Sequence, residues 1–179
     1  MSEEKSEIRF LISDFDGTIT NLDVDWKGLR ERLSVSSIEE LLLEDFKRSW
    51  LDLKKVEING VTAEWASIDV RKRIANVESF SILTNNDKEA VSKFFDLQSE
   101  IAEKPTIVID RNFLGGSKKN FKNFSKGIDT CLTHMHCGNL KEVVYLGDSN
   151  YEIEFAEQLG LFAIQVYSGT KNYTNTSFA

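Results

Sequence analysis

The feature that most limits the fold is a regular alternation between short apolar segments and longer segments with helical spacing. Five apolar segments have the length of β-strands and lie at residues 9–14, 77–84, 106–110, 142–146 and 162–167. Later segments with apolar residues three or four positions apart lie at residues 88–97, 121–135 and 151–159. Strands that alternate with helices predict a parallel sheet covered by helices on both faces. We therefore predict an α/β fold with a Rossmann-like three-layer core.

Residues 21–76 show helical spacing and no strand pattern. The apolar spacing predicts three helices in this stretch, at residues 25–33, 36–53 and 62–74. A helical insert that follows the first strand of a parallel sheet would lie over the carboxyl ends of the strands. We therefore predict a core formed by residues 1–20 and 77–179, and a small helical cap formed by residues 21–76.

Charge and composition exclude several classes of partner. The chain of 179 residues has a formal net charge of −7 and two cysteines. Nucleic-acid-binding proteins carry clustered positive charge, so we expect no nucleic-acid partner. No apolar run approaches the roughly 20 residues that span a bilayer, so we expect no membrane association. Two cysteines are too few for a disulfide framework, and we expect a cytoplasmic protein. The oligomeric state stays unknown.

Polar side chains stand where three of the predicted strands end. The segment LISDFDGTIT, residues 11–20, ends its apolar run with Asp14 and Asp16, the second strand ends at Thr84, and the fourth runs into Asp148. Parallel strands bring their carboxyl ends to one edge of a sheet, where ligands bind in such folds. Two carboxylates one residue apart repel each other, and a divalent cation with oxygen ligands, such as Mg²⁺, would relieve that repulsion.

The order of these residues resembles the haloacid-dehalogenase-like (HAD-like) hydrolases. The resemblance rests on four features: Asp14-Phe-Asp16-Gly-Thr18 after the first strand, Thr84 after the second, a later lysine, and Gly147-Asp148 with Glu152 four residues on. The helical insert is similar to the small cap of phosphoglycolate- and phosphoserine-phosphatase-like members. The resemblance implies a Mg²⁺-dependent phosphatase that hydrolyses a small phosphorylated metabolite through an aspartyl-phosphate. Glu152 stands where the family more often has aspartate, which leaves its role open.

The resemblance also implies a role for each residue. Asp14 is the nucleophile and a magnesium ligand, and Asp148 is a further ligand. Asp16 protonates the leaving oxygen, later deprotonates the attacking water, and contacts the metal through its backbone carbonyl. The Thr84 hydroxyl and the backbone N–H of Asn85 hold the oxygens of the phosphoryl group.

The phosphate-binding lysine has two candidate positions. Lys126 lies 22 residues before Asp148, a spacing that resembles the family's, whereas Lys118 and Lys119 follow the third strand more closely. Gly127 is costly inside a helix, so a helix that starts near Ser125 is favoured over one that encloses this glycine. This argument favours Lys126 and leaves Lys118 and Lys119 as the alternative.

Other interpretations of the sequence lead to different functions. Residue types that bind zinc occur close together, but without the spacing of a recognised zinc finger, at Cys131, His134, His136 and Cys137. A phosphomutase or phosphonatase could use the same scaffold, and a non-catalytic binding or regulatory module could keep it. The paired Asp14 and Asp16 argue against a non-catalytic module, and Asp16 argues against the metal-free dehalogenases, which do without that acid–base.

Overall fold

The structure, a computed structural model, describes residues 7–98 and 103–167. The regular elements are, in chain order, β1 (Phe10–Ser13), α1 (Trp26–Leu33), α2 (Trp50–Asn59), α3 (Ile68–Ala75), β2 (Ser79–Leu83), α4 (Lys88–Asp96), β3 (Val108–Ile109), α5 (Arg111–Leu114), α6 (Phe121–His134), β4 (Val143–Gly147), α7 (Asn150–Gln158) and β5 (Phe162–Gln165). Short 3₁₀ helices lie at Ile38–Leu42, Glu44–Ser49 and Leu140–Glu142. None of the described helices is long and apolar enough to cross a membrane.

The five strands form one parallel sheet in the order β3-β2-β1-β4-β5. β1 lies at the centre, where Phe10 pairs with Ser79 of β2 on one side and with Val143 of β4 on the other. Each of the five strands falls within the segment predicted for it or within one residue of that segment. The predicted α/β fold with a parallel sheet is confirmed.

Apolar side chains cover the sheet on both faces. Alternate residues of β1 point to opposite sides, so that Leu11 packs in one cluster with side chains of α3 and α4, and Ile12 packs in another with side chains of α6 and α7. Both β1 side chains are fully buried, as expected for a strand at the centre of a parallel sheet. The sheet therefore forms the middle of three layers.

The stretch between β1 and β2 has a small apolar cluster of its own. Leu29, Leu42 and Leu53 are buried together there, away from the two clusters that cover the sheet. Helix α3 differs, because its Val70 and Ile74 are buried in a cluster on the sheet. The division of the chain into a core and a cap at residues 20 and 76 stays a prediction. The packing of α3 groups this helix with the sheet rather than with the cap.

The single helix predicted over residues 36–53 is wrong. Two 3₁₀ helices replace its first part, and the α-helix begins only at Trp50. The backbone of Leu43 is extended, with φ −72° and ψ 152°, which interrupts the helical hydrogen bonds. The Trp50 indole N–H donates to the Leu41 carbonyl at 2.6 Å and so satisfies a buried group beside the interruption.

The predicted helix at residues 62–74 begins later than expected, at Ile68. The preceding segment instead bonds to the chain that follows β1: the Thr20 hydroxyl donates to the Glu64 carbonyl at 2.7 Å, and the Ala66 N–H donates to the Ile19 carbonyl at 2.8 Å. The Ser67 hydroxyl then accepts from the Val70 N–H and caps α3. Tertiary hydrogen bonds outweigh the local helical pattern here.

Candidate active site

Asp14 and Asp16 lie at the carboxyl end of the central strand. The Asp14 N–H donates to the Leu146 carbonyl at 2.8 Å, which continues the pairing of β1 with β4 past the end of the strand. Asp14 is buried. Asp16 Oδ1 accepts the Leu22 N–H at 2.9 Å, which helps to hold the turn that follows. Both aspartates line the same cavity.

The turn after β1 packs directly on Asp148, which follows β4. Gly17 has φ +83°, and a Cβ atom at this position would lie 2.3 Å from Asp148 Oδ2. The Ser149 hydroxyl donates to Asp148 Oδ1 at 3.2 Å, and the Gln165 side chain donates to the Asp148 carbonyl at 3.1 Å. The structure therefore brings the two strand ends together at Asp14 and Asp148, and glycine at position 17 permits the approach.

Glu152, on the first turn of α7, is fully buried beneath these two aspartates. Its Oε1 accepts from the Tyr145 hydroxyl at 2.7 Å, and its Oε2 accepts from the Ser149 N–H at 3.2 Å in a capping box. Lys118 makes a further short ion pair with Oε1. Since hydrogen-bond donors of the protein engage both oxygens, Glu152 orients its neighbours in this conformation.

Lys118 is the lysine beside Asp14. Its Nζ lies 2.6 Å from Asp14 Oδ1 and donates to the Leu83 carbonyl at 3.2 Å, and the side chain is 3% exposed. The Lys118 backbone N–H donates to Asn85 Oδ1 at 2.8 Å, which ties its loop to the chain after β2. Burial opposes the charge on this ammonium, but Asp14 and Glu152 outweigh burial and raise the pKa of Lys118.

The helix start near Ser125 that favoured Lys126 is wrong, and the structure places Lys118 rather than Lys126 beside Asp14. Lys126 lies inside α6, which begins at Phe121 behind an Asn120 N-cap, and its exposed ammonium lies 4.9 Å from the centre of the Phe113 ring. A glycine is required at this mid-helix position because a Cβ atom on residue 127 would lie 2.5 Å from the Leu83 side chain of β2. Close packing of α6 on the sheet therefore explains the glycine, and the Asn120 side chain caps the start of the helix.

The acidic group is chemically suited to a divalent cation. Oxygen atoms from Asp14, Asp148 and Glu152 lie within 4.8 Å of one another, and carboxylate oxygens are the hard ligands that Mg²⁺ prefers. Burial, and then the nearby Glu152, raise the pKa of Asp14 well above its ordinary value; Lys118 opposes this and Asp148 adds to it. The Lys118 ammonium thus pairs with two of the three carboxylates, those of Asp14 and Glu152, and a bound cation would offset the remaining negative charge.

The side chains of residues 84–86, which follow β2, are near the site and already form hydrogen bonds within the protein. Thr84 is fully buried, and its hydroxyl donates to Asn86 Oδ1 at 2.9 Å and accepts from the Asn86 N–H at 3.0 Å. Asn85 and Asn86 line the cavity that Asp14 lines. The phosphate-binding roles expected for Thr84 and Asn85 stay predictions.

A buried ion pair that the sequence did not suggest joins α2 to the core beside this cavity. Arg111 Nη1 lies 2.8 Å from each carboxylate oxygen of Glu57, and the two side chains are 0% and 2% exposed. Glu57 also accepts from the Asn86 side chain at 3.0 Å and from the Asp87 N–H at 3.1 Å. A single glutamate between two predicted helices gives no sequence signal for such a network.

The zinc-ligand residue types do not form a metal-binding group. Among residues 7–98 and 103–167, the acidic group at Asp14 is the one cluster of three or more such side chains found at metal-binding distances. Cys131 is fully buried among the apolar side chains of α6 and the sheet, and burial raises the pKa of its thiol to about 12. Cys131 therefore has a packing role.

Gly17 provides a test of the contact with Asp148. We expect Gly17→Ala to lower the free energy of unfolding by about 1–2 kcal/mol through the left-handed backbone alone, and by a further amount because Asp148 must move. Gly115→Ala is the matched control, since Gly115 has φ +70° and nothing lies within 4 Å of its missing Cβ. Urea denaturation of both variants gives the difference. Equal losses of unfolding free energy in Gly17→Ala and Gly115→Ala would show that Asp148 can move without an energetic cost.

Comparisons with known proteins show the fold. No protein-family model matches the chain, and no curated protein matches it. A phosphonoacetaldehyde hydrolase-like protein from Oleispira antarctica matches with a TM-score of 0.61 and 14% identity, over 90% of this chain and 73% of that chain. A haloacid dehalogenase-like hydrolase from Bacteroides fragilis matches with a TM-score of 0.56 and 14% identity, over 93% and 90%. L-2-haloacid dehalogenase from Xanthobacter autotrophicus matches with a TM-score of 0.52 and 12% identity, over 89% and 77%. The resemblance noted in the sequence is thus confirmed in the architecture, and this chain has the fold of the HAD-like hydrolases.

Proposed function

We propose that this protein is a Mg²⁺-dependent phosphatase that hydrolyses a small phosphorylated metabolite of the cytoplasm. The observation that carries the proposal is the buried contact between the Lys118 ammonium and Asp14, 2.6 Å long, in a site where three carboxylates lie close together. An isolated acidic turn would be solvated at the surface, whereas this group is enclosed and lines a cavity. Buried charges arranged in this way are typical of catalytic sites.

Asp14 would attack the phosphorus atom and form the aspartyl-phosphate. A carboxylate is a usable nucleophile, but it must approach a group that is also anionic. Lys118 reduces that repulsion, because its positive charge lies beside the attacking carboxylate and is held there by Glu152 and the Leu83 carbonyl. Glu152 thus supports the reaction by orienting the lysine.

Asp14, Asp148 and the backbone carbonyl of Asp16 would hold the magnesium ion. When bound, the ion supplies positive charge that stabilises the phosphoryl group during transfer. The Ser149 hydroxyl keeps Asp148 in place through its hydrogen bond to Oδ1, and the contact between Gly17 and Asp148 limits where that carboxylate can lie. The donor set is made of hard oxygen atoms, which fits Mg²⁺ better than zinc.

Asp16 would move the protons. It lines the cavity next to Asp14, so it can donate a proton to the leaving oxygen and later accept one from the water that hydrolyses the aspartyl-phosphate. Thr84 and the backbone N–H of Asn85 would orient the phosphoryl oxygens once the substrate is present.

A panel of substrates tests this proposal against the reactions suggested by the named structural neighbours. We expect phosphate release from small phosphate esters with Mg²⁺, loss of that release with EDTA, and recovery when Mg²⁺ is returned. L-2-chloropropionate should yield no chloride, and phosphonoacetaldehyde should yield no phosphate. Chloride release would instead establish a dehalogenase, and phosphate release that survives EDTA would refute the metal-dependent mechanism.

Lys118 and Lys126 can be compared directly. We expect Lys118→Ala to lower kcat for phosphate release by about 10²–10³-fold, because a preorganised charge at the reacting group is lost. Lys126→Ala should retain the wild-type kcat, since its ammonium is exposed on α6. Circular dichroism of both variants checks that the fold is kept. A large loss of kcat in Lys126→Ala and none in Lys118→Ala would instead identify Lys126 as the phosphate-binding residue.

A further inference from the structure

The part of the cavity wall that comes from residues between β1 and β2 is mainly apolar. It is formed by Trp26 of α1, Ile38 and Leu42 of the first 3₁₀ helix, and Leu53 of α2. Leu42 and Leu53 are nearly fully buried in the small cluster of this stretch, against which Trp26 and Ile38 pack. The wall is therefore held by its own packing. If phosphate binds near Asp14, the alcohol part of the ester contacts this wall.

The charged groups on this wall are acidic. Glu57 and Glu39 both line the cavity, but the charge of Glu57 is balanced by its buried pair with Arg111. Glu39 is exposed, and its carboxylate makes no hydrogen bond or ion pair with any residue in the described part of the chain. Burial chiefly raises the pKa of Tyr151, and Glu39 is among the carboxylates that add to it. Glu39 and Tyr151 thus line the same cavity.

The positively charged side chain on the cavity wall already forms ion pairs within the protein. Lys118 is the cationic side chain on the wall among residues 7–98 and 103–167, and it is paired with Asp14 and Glu152. Lys119 lies 5.8 Å from the centre of the Tyr151 ring without lining the cavity. A carboxylate on the alcohol part of an ester would therefore meet the like charge of Glu39, which repels it.

An ammonium group would meet favourable partners at the same place. The Glu39 carboxylate attracts it directly, and Trp26 adds an aromatic ring, which favours a cation near its face. The cavity measures about 190 Å³, below the roughly 300–1,000 Å³ of sites for larger ligands. We propose that the substrate is a small phosphomonoester whose alcohol part carries an ammonium group; this inference rests on the proposed phosphatase function.

Three esters of similar size isolate the charge of the alcohol part. Phosphoethanolamine carries an ammonium, propyl phosphate replaces it with a methyl group, and phosphoglycolate carries a carboxylate. With the full chain and Mg²⁺, we expect kcat/KM to fall about tenfold from the first to the second, because one charge contact is lost, and again to the third.

Variants at neighbouring positions assign the preference to Glu39. In Glu39→Gln, the ratio of kcat/KM between phosphoethanolamine and propyl phosphate should fall to near one. Glu40→Gln is the matched control, because Glu40 lies in the same 3₁₀ helix and does not line the cavity, and it should keep the wild-type ratio.

The outcomes distinguish the two proposals. Turnover of propyl phosphate or phosphoglycolate that equals or exceeds turnover of phosphoethanolamine overturns the ammonium inference and leaves the phosphatase function standing. A wild-type preference for phosphoethanolamine that Glu39→Gln does not reduce also overturns it, because the selectivity then comes from elsewhere. Absence of turnover for all three esters and for the wider ester panel overturns the phosphatase function, and the inference with it.

Discussion

Asp14→Asn is expected to reduce phosphate release by roughly 10⁴-fold or more, because an amide cannot act as the nucleophile that forms the acyl phosphate. The protein should remain folded. Burial raises the pKa of Asp14, which means that its charge is costly in the native state, and asparagine removes that cost. Phosphate release and urea denaturation, measured on the same preparation, separate loss of chemistry from loss of structure.

Asp129→Asn is a suitable control for the nucleophile, since Asp129 is an exposed aspartate on α6. It should match the wild type in both measurements. Binding of beryllofluoride with Mg²⁺ gives a second readout that needs no turnover: an adduct should form on Asp14 in the wild type and be absent in Asp14→Asn. Residual activity within tenfold of the wild type, or an adduct on another residue, would show that the nucleophile is misassigned.

Arg111→Met is expected to lower the free energy of unfolding by about 3–5 kcal/mol, because it leaves Glu57 charged and buried without its partner. Arg9 provides the surface comparison. It pairs with Glu78 at 2.7 Å, but both side chains are about half exposed, so Arg9→Met should cost much less. Urea denaturation of the two variants at pH 8 measures the contrast.

The loss in Arg111→Met should also depend on pH. Burial already raises the pKa of Glu57 from 4.5, with Arg111 opposing the rise, so removing Arg111 raises it further. A carboxyl whose native pKa exceeds its unfolded value lowers stability as pH rises between those two values, because the unfolded state ionises first. The deficit of the variant should therefore be largest at pH 8 and shrink towards pH 4.5.

Neutralising Glu57 in the same background checks the cause. Arg111→Met combined with Glu57→Gln should be more stable than Arg111→Met alone at pH 8 and should lose the added pH dependence. A deficit that is the same at both pH values, or that the second substitution does not relieve, would show that lost packing of the arginine, rather than an unpaired charge, accounts for the effect.

The sequence was informative where local pattern and chain topology agree. Strand and helix periodicity predicted the parallel sheet, and parallel pairing alone was enough to predict that Asp14 and Asp148 would meet. The start of α6 was predicted too late because the helical cost of Gly127 was weighed without its tertiary benefit, which is close packing on Leu83. The helix boundaries between residues 36 and 67 depend on hydrogen bonds to distant residues, such as that of Thr20 with Glu64.

The buried ion pair lay beyond prediction for a different reason. Glu57 and Arg111 are 54 residues apart, and each looks like an ordinary surface charge in its own segment. Their burial follows only once α2 lies beside the start of α5, and no spacing within one segment carries that information. The same holds for Glu39, whose position on the cavity wall depends on a 3₁₀ helix where a regular α-helix was expected.

The contacts of Arg111 bear on how a ligand could reach the cavity. Arg111 donates hydrogen bonds to two residues of α2, the Trp50 carbonyl and the Glu57 carboxylate. It also donates to the Asn85 carbonyl. Movement of α2 away from the sheet would separate Glu57 from Arg111 and leave both buried charges without their partner. A ligand that enters the cavity without movement of α2 avoids that penalty, so this pair favours a cavity of constant shape.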